Sequence, residues 1–319
     1  MVRLDTQEAA MLTVYKTTPD GLITIDGVSN GCWVNTIDPT PEEIEKLHFW
    51  GIEPELSTYS LDQDEMARVE REESYTLILL RIPYFQGETH DIPYTTVPMG
   101  IILKDNFIAT ICQYPNDISR TLTNGKYRGF RTTKRYRFVL YVLLETATRF
   151  LAYLREINRS VENIEDELEK STQNRELLEL LKYQKALVYF TTALRSNEVM
   201  MERLRRMRVF NQYEEDEDLL EDVLTENQQA IQTSNIQTEI LSSMMDTFAS
   251  LISNNLNVVM KALAAITIVL NLPTIVASFY GMNVTLPFQG HSWAFLFTVG
   301  IAVALTGIAV YIFVKRDWI

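Results

Sequence analysis

Apolar residues recur through the middle of the chain at alternating steps of three and four, with polar residues between them. This spacing is typical of helices that pack along one face. The first such seam consists of Leu140, Leu143, Ala147, Phe150, Leu154, Ile157, Val161, Ile164 and Leu168. A weaker second seam consists of Leu177, Leu180, Leu187, Leu194 and Met201. Because residues 171–174 offer a break between the two, we predict an antiparallel helical hairpin over 135–214.

A third seam follows the polar and acidic segment 211–218. Its positions are Leu220, Leu224, Asn227, Ile231, Ser234, Thr238, Leu241, Met245, Phe248 and Ile252. The polar members of this seam are expected to set helix register or to face water rather than to bind a ligand. No Pro or Gly occurs from residue 211 until Pro273. We therefore predict a stalk helix over 215–261 that continues into the next segment, with a total length of roughly 90 Å.

Residues 1–134 have a different texture. Short runs rich in β-branched and aromatic residues, such as 75–82 and 100–112, alternate with stretches that contain Pro and Gly. Such punctuation is typical of strands joined by turns. The pattern predicts an α/β domain.

Two apolar segments without charged residues lie near the end of the chain, at 262–280 and 293–314. Each is long enough to cross about 30 Å of hydrocarbon. Buried core helices of a large soluble domain would also be apolar, but two adjacent uncharged runs favour transmembrane helices.

Charged residues around these segments indicate an orientation. Lys261 precedes the first span, and Lys315 and Arg316 follow the second. The connecting loop 281–292 carries no ionised side chain except His291 when it is protonated. The positive-inside bias therefore predicts an external loop and cytoplasmic N- and C-termini.

The first span carries uncharged polar residues on one helical stripe, which continues through Ala264 and Met260. Its polar members are Thr267, Asn271, Thr274 and Ser278. Such a stripe is costly against lipid but can be hydrated at a bundle axis. Packing by Ser and Thr hydroxyls against another helix is the alternative. Two spans cannot enclose a pore, so a channel would require an oligomer.

Composition narrows the partners. The formal net charge of -13 argues against nucleic acid, which needs a basic surface, and suits cations or a merely solvated acidic surface. Cys32 and Cys112 stand far apart, so a disulfide framework is not indicated and a reducing cytosol is expected. The first 30 residues show no basic segment followed by an apolar run, which predicts no cleavable signal peptide.

At the outer end of the first span stand Tyr280, Gly281, Met282 and Asn283, followed by a short loop, a second span and a basic tail at 315–319. This arrangement resembles the CorA magnesium channel family, whose signature is a Gly-Met-Asn motif between two C-terminal helices. The resemblance covers roughly the last 100 residues, and the preceding hairpin and α/β domain are consistent with it in order. It implies a funnel-shaped homopentamer in the inner or plasma membrane, with the first span lining the pore.

What the resemblance implies for single residues is carried over by position. Gly281, Met282 and Asn283 would form the selectivity filter, in which Gly281 allows a backbone turn. A ring of Asn283 amide oxygens would hold hydrated Mg²⁺ through its waters, because Mg²⁺ gives up water reluctantly. The pore-lining residues would be Asn257, Met260, Leu263, Thr267, Asn271, Thr274 and Ser278. Of these, Met260 and Leu263 match an apolar constriction and Asn257 a cytoplasmic mouth.

The family also implies gating by intracellular Mg²⁺, which bridges acidic groups of neighbouring cytoplasmic domains. Asp222 matches one such acid on the stalk helix, and Glu88 or Asp91 would supply its partner. The loop that holds Glu88 and Asp91 does not align cleanly with the family, and a solvated acidic helix face is the alternative for Asp222.

The sequence thus predicts a transporter of divalent cations, chiefly Mg²⁺, with Co²⁺ and Ni²⁺ as further candidates. The outer loop 284–291 lacks the acidic residue of many family members, which leaves ion preference open. A zinc transporter of the same superfamily is the alternative. A membrane-anchored enzyme is disfavoured because the chain shows no phosphate-binding glycine loop, Cys or His cluster, or Ser/His/Asp spacing. A tethered scaffold is disfavoured by the polar stripe.

Overall fold

The computed structural model describes residues 11–127, 129–168, 174–207, 210, 214–283, 288 and 291–318. The chain divides into two compact units, Met1–Ser243 and Met244–Ile319. The fold class is as predicted: an α/β domain, a helical hairpin, one long helix and a second apolar helix follow in that order. The boundaries proposed for the individual domains stay predictions.

The first unit contains one seven-stranded sheet in the order β2-β1-β3-β7-β6-β5-β4. Its strands are β1 (Met11–Thr18), β2 (Gly21–Thr24), β3 (Cys32–Ile37), β4 (Arg68–Arg71), β5 (Thr76–Phe85), β6 (Tyr94–Leu103) and β7 (Phe107–Cys112). All neighbouring strands are antiparallel except β3 and β7. The run predicted over 100–112 is therefore two strands, because the chain turns between Lys104 and Phe107.

The helices are α1 (Pro41–Phe49), α2 (Pro54–Leu61), α3 (Asp117–Thr123), α4 (Arg135–Leu168), α5 (Asn174–Arg206), α6 (Glu214–Tyr280) and α7 (Ala294–Lys315). Alternate residues of the central strands enter two separate cores, as a period of two requires. Val34 and Leu79 belong to the core that includes α1 and α2. Trp33 and Leu80 belong to the core that includes α4 and the first turns of α6. The sheet is thus covered on both faces.

Helices α4 and α5 form the predicted antiparallel hairpin. All nine residues of the first seam are buried, and the second seam is buried except for the half-exposed Leu177. Phe150 of α4 meets Phe190 of α5 edge to face, with ring centroids 5.0 Å apart. The predicted break at 171–174 lies outside the described residues except for the backbone of Asn174, where α5 begins.

Within the first unit, α6 packs against α5 through the predicted third seam. The Asn227 amide donates to the Leu194 carbonyl oxygen at 3.3 Å, and the hydroxyls of Ser234 and Thr191 lie 2.8 Å apart. Asn227 and Ser234 are both buried. A shift of one helix along the other would break these bonds in a buried site, so they fix the register as predicted. The Thr238 hydroxyl bonds to its own helix, at the Ser234 carbonyl oxygen.

The second unit contains the end of α6 and all of α7. Both helices are long and apolar enough to cross a membrane. No residue of α7 is buried, and Phe295 is 75% exposed. Large apolar surface of this kind needs lipid or a protein partner to cover it. Helix α6 passes through Pro273 without ending, although Pro cannot donate to the carbonyl one turn earlier.

Candidate ion pathway on helix α6

Helix α7 covers one side of α6 in the second unit. Ala265 and Val276 are buried on this side. At 100° per residue, the polar positions from Thr267 to Ser278 lie on average about 160° away from them. All four polar residues are exposed. Packing of the Ser and Thr hydroxyls against α7, the alternative raised by the sequence, therefore does not occur among the described residues of this one chain.

The two threonines of the stripe are oriented by their own helix. The Thr267 hydroxyl donates to the Leu263 carbonyl oxygen at 2.8 Å, and the Thr274 hydroxyl donates to the Leu270 carbonyl oxygen at 3.3 Å. Because each hydroxyl hydrogen is engaged, the outward lone pairs of each oxygen can only accept. Acceptors are what the outward hydrogens of a hydrated cation require.

The same spacing extends well beyond the predicted stripe. In alternating steps of four and three, the exposed positions are Asp246, Ser250, Ser253, Asn257, Met260, Ala264, Thr267, Asn271, Thr274, Ser278 and Gly281. We call this set the polar seam. Asp246, Ser250 and Ser253 were missed by the sequence analysis, although the same step count would have found them. Asp246 is the only acid in the seam, and Lys261, the only cation between residues 247 and 283, lies off it.

Two predicted pore residues differ in their relation to the seam. Met260 lies within it, is 55% exposed and is its only large apolar member. Leu263 lies one position before Ala264, at the edge of the seam, although it is also exposed. Its assignment to the constriction therefore depends on the family resemblance rather than on the helix phase.

The Gly-Met-Asn motif forms the end of α6. The Gly281 N–H donates to the Ala277 carbonyl oxygen at 2.9 Å, which continues the helical pattern by one residue. Gly281 lies in a turn but does not adopt a left-handed φ, so its proposed part in the backbone turn stays a prediction. A Cβ at this position would instead lie 3.3 Å from the Ala277 oxygen, a tight contact. Met282 and Asn283 are exposed, and the Asn283 amide has no hydrogen bond to the described residues.

An apolar groove runs between α6 and α7 beside the seam. Its volume is about 910 Å³, and Pro273, Ala277 and Gly281 line it on α6. Phe295 and Val303 line it on α7. The small residues on α6 allow another backbone to approach closely.

The acidic residues proposed as a regulatory site do not meet within one chain. Asp222 is exposed on α6, and Asp91 pairs with Lys185 of α5 at 3.5 Å. From the register of α5 on α6, Asp222 lies roughly 25 Å along the helix axes from the level of Lys185. Glu88 is exposed in the same loop as Asp91. Within the described residues, no cluster of three or more potential metal-binding side chains occurs.

Comparison with known proteins decides the family. The family described as "CorA-like Mg2+ transporter protein" matches residues 29–316. The chain belongs to this family. A membrane location follows from membership in this transporter family, together with the two apolar helices.

Relatives in the CorA family match over nearly the whole chain. A cobalt/magnesium transport protein CorA of Methanocaldococcus jannaschii is 33% identical over 97% of this chain and 100% of its own length. A protein with the same description from Thermotoga maritima is 24% identical over 96% of this chain and 88% of its own length. The complete structure of the M. jannaschii magnesium transporter matches with a TM-score of 0.84 and 25% identity, over 98% of this chain and 100% of that chain.

Accessibility of single cysteines tests which side of α6 meets water. In assembled protein in liposomes, we expect T274C to react with a charged, membrane-impermeant thiol reagent at least about tenfold faster than V303C, because thiols ionise poorly in apolar surroundings. Val303 is the matched control, since it lies at a similar depth on α7. We expect little background labelling, because both native cysteines, Cys32 and Cys112, are buried. Burial also raises the pKa of the Cys112 thiol to about 11. Equal rates would place the seam against lipid.

Proposed function

We propose that the protein is a channel for divalent cations, chiefly Mg²⁺, formed by several copies that turn the polar seam toward a common axis. The observation that carries this is the exposed, nearly uncharged seam opposite α7. In hydrocarbon such a seam would leave polar groups without water, whereas at an axis it borders a water column. The names of the CorA relatives, which are cobalt/magnesium transport proteins, support the choice of ion.

The assembly we propose is a homopentamer with N- and C-termini in the cytoplasm and the loop 281–292 outside. One chain offers a single polar seam, so a closed ring of copies is needed to surround water. One flank of the seam suits such a contact, because the groove near Ala277 and Gly281 opens there.

The Asn283 amides are proposed to select the ion at the outer mouth. Mg²⁺ keeps its six waters unless protein oxygens replace them in octahedral geometry. Neutral acceptors that bond to those waters can therefore hold the hydrated ion. Neutral oxygens attract the ion less strongly than carboxylates would, which favours passage over trapping. The exposed Asn283 side chain lies one turn beyond Tyr280, where α6 ends.

Three further seam residues have proposed roles below the filter. A ring of Asp246 carboxylates would raise the local concentration of cations at the cytoplasmic mouth. A ring of Met260 side chains, with Leu263 at its edge, would narrow the path with apolar surface that can close by dewetting. Asn257, between them, would offer an uncharged ring of amide groups at the cytoplasmic mouth.

Replacement of Asn283 tests the filter and the ion together. In proteoliposomes, N283A should lower Mg²⁺ flux more than about tenfold, because each copy loses an acceptor worth about 1 kcal/mol. N254A is the matched control, since Asn254 is exposed on α6 but off the seam. Assembly size is checked by chromatography. Wild-type flux of Mg²⁺ that persists in N283A would contradict the filter, and flux of Zn²⁺ in preference to Mg²⁺ would favour the zinc alternative.

Regulation by intracellular Mg²⁺ is proposed through Asp222 of one copy and Glu88 or Asp91 of its neighbour. Because the two sites lie well apart along a single chain, only contact between copies could join them. Carboxylate oxygens are suitable ligands for Mg²⁺, which also retains several waters when bound.

Proteolysis tests this regulatory site. We expect D222K to need several-fold more Mg²⁺ than wild type for protection from protease, because a cation replaces a proposed ligand. E221K is the control, as Glu221 is also exposed but faces about 100° away on the helix. If D222K and E221K need the same Mg²⁺ concentration as wild type, the sensor does not include Asp222.

A further inference from the structure

Both membrane-spanning segments end in lysines that the ion pathway does not use. Lys261 and Lys315 are exposed and form no ion pair with any described residue. We propose that these two lysines bind the phosphate headgroup of an anionic phospholipid in the cytoplasmic leaflet. The leaflet follows from the orientation proposed above, but the binding site itself does not depend on ion transport.

The two lysines lie at the same depth. Tyr280 and Ala294 line the same end of the groove between the helices, which fixes a common outer level. Lys261 precedes Tyr280 by nineteen residues, and Lys315 follows Ala294 by twenty-one. At 1.5 Å per residue they lie about 28 Å and about 32 Å from that level. Both distances match the roughly 30 Å of hydrocarbon, so the amines reach the headgroup layer.

The two lysines also lie on the same side of the helix pair. On α6, Lys261 is about 120° to 160° around the helix from the groove residues Pro273 and Ala277. On α7, Lys315 is separated from the groove residues Phe295 and Val303 by the same angles. Both amines are therefore on the side opposite the groove, where they can approach one phosphate.

Apolar surface continues from the lysines toward the middle of the membrane. Ile268 lies two helical turns from Lys261, and Ile308 lies two turns from Lys315, each in phase with its lysine. Both isoleucines are exposed. Cations at the headgroup level above apolar side chains complement an anionic lipid, whose acyl chains would cover the isoleucines.

Neighbouring residues leave the positive charge largely uncompensated. The only described acid within the last turn of α7 and its cap is Asp317, beside Arg316. The backbone N–H of Arg316 caps the helix at the Ile312 carbonyl oxygen, 3.1 Å away. The Trp318 ring stacks on Phe313 with centroids 5.5 Å apart, and Trp is typical of the membrane interface. The site therefore combines net positive charge with an interfacial aromatic ring.

Retention of lipid by the purified full-length assembly tests the proposal. Native mass spectrometry would count phosphatidylglycerol and phosphatidylcholine bound after exchange into mixed micelles. We expect wild type to prefer phosphatidylglycerol and K261Q/K315Q to lose that preference, by about fivefold per lysine. The control is K46Q/K182Q, which removes the same charge from the first unit. The measurement counts bound lipid, so failure of ion flux would not affect it.

Three results would overturn the assignment. The double variant could keep the wild-type preference for phosphatidylglycerol. Glycerol phosphate, which has the headgroup chemistry without acyl chains, could displace the lipid at equal concentration, and the ligand would then be a soluble anion. The double variant could fall apart into smaller assemblies while single copies still bind the lipid, and the lysines would then pair subunits.

Discussion

Polar groups inside a membrane are stable only where they find water or a polar partner, and this constraint organises the second unit. Helix α6 satisfies it by separating its sides: α7 covers buried Ala265 and Val276, while the polar seam lies opposite. The single chain leaves this seam uncovered. Its chemistry therefore calls for further copies, and the function we propose is a consequence of that requirement.

Polar residues spaced by three and four positions along α6 are mostly buried in the first unit and exposed in the second. In the first unit, the third seam of α6 is buried against α5, and its polar members Asn227 and Ser234 bond to that helix. In the second unit, the polar seam makes no such contact and stays exposed. Polar residues at helical spacing thus fix helix register where a partner covers them and become candidates for a pathway where none does.

Much of the fold could be predicted because long amphipathic helices leave a strong periodic signal. The seam from Leu140 to Leu168 is an example, since all its members are buried. Short elements were less well predicted: the run over 100–112 was given as one segment, although the polar residues 104–106 between Leu103 and Phe107 mark the turn between two strands. The limited space around Gly281 could not be predicted either, because the distance to the Ala277 oxygen depends on where the helix ends. The proposed pairing of Asp222 with Asp91 would require contact between copies, and such contact cannot be read from the residue spacing of one sequence.

In the channel that we propose, the threonine hydroxyls of the seam have a consequence for the sign of the permeating ion. The waters around a hydrated anion point their oxygens outward, so such an ion needs hydrogen-bond donors from the pathway. The hydroxyls of Thr267 and Thr274 already donate to the carbonyl oxygens of Leu263 and Leu270. At those two levels an anion such as chloride would meet oxygen lone pairs alone. The wall can therefore discriminate against anions there without carrying any formal charge.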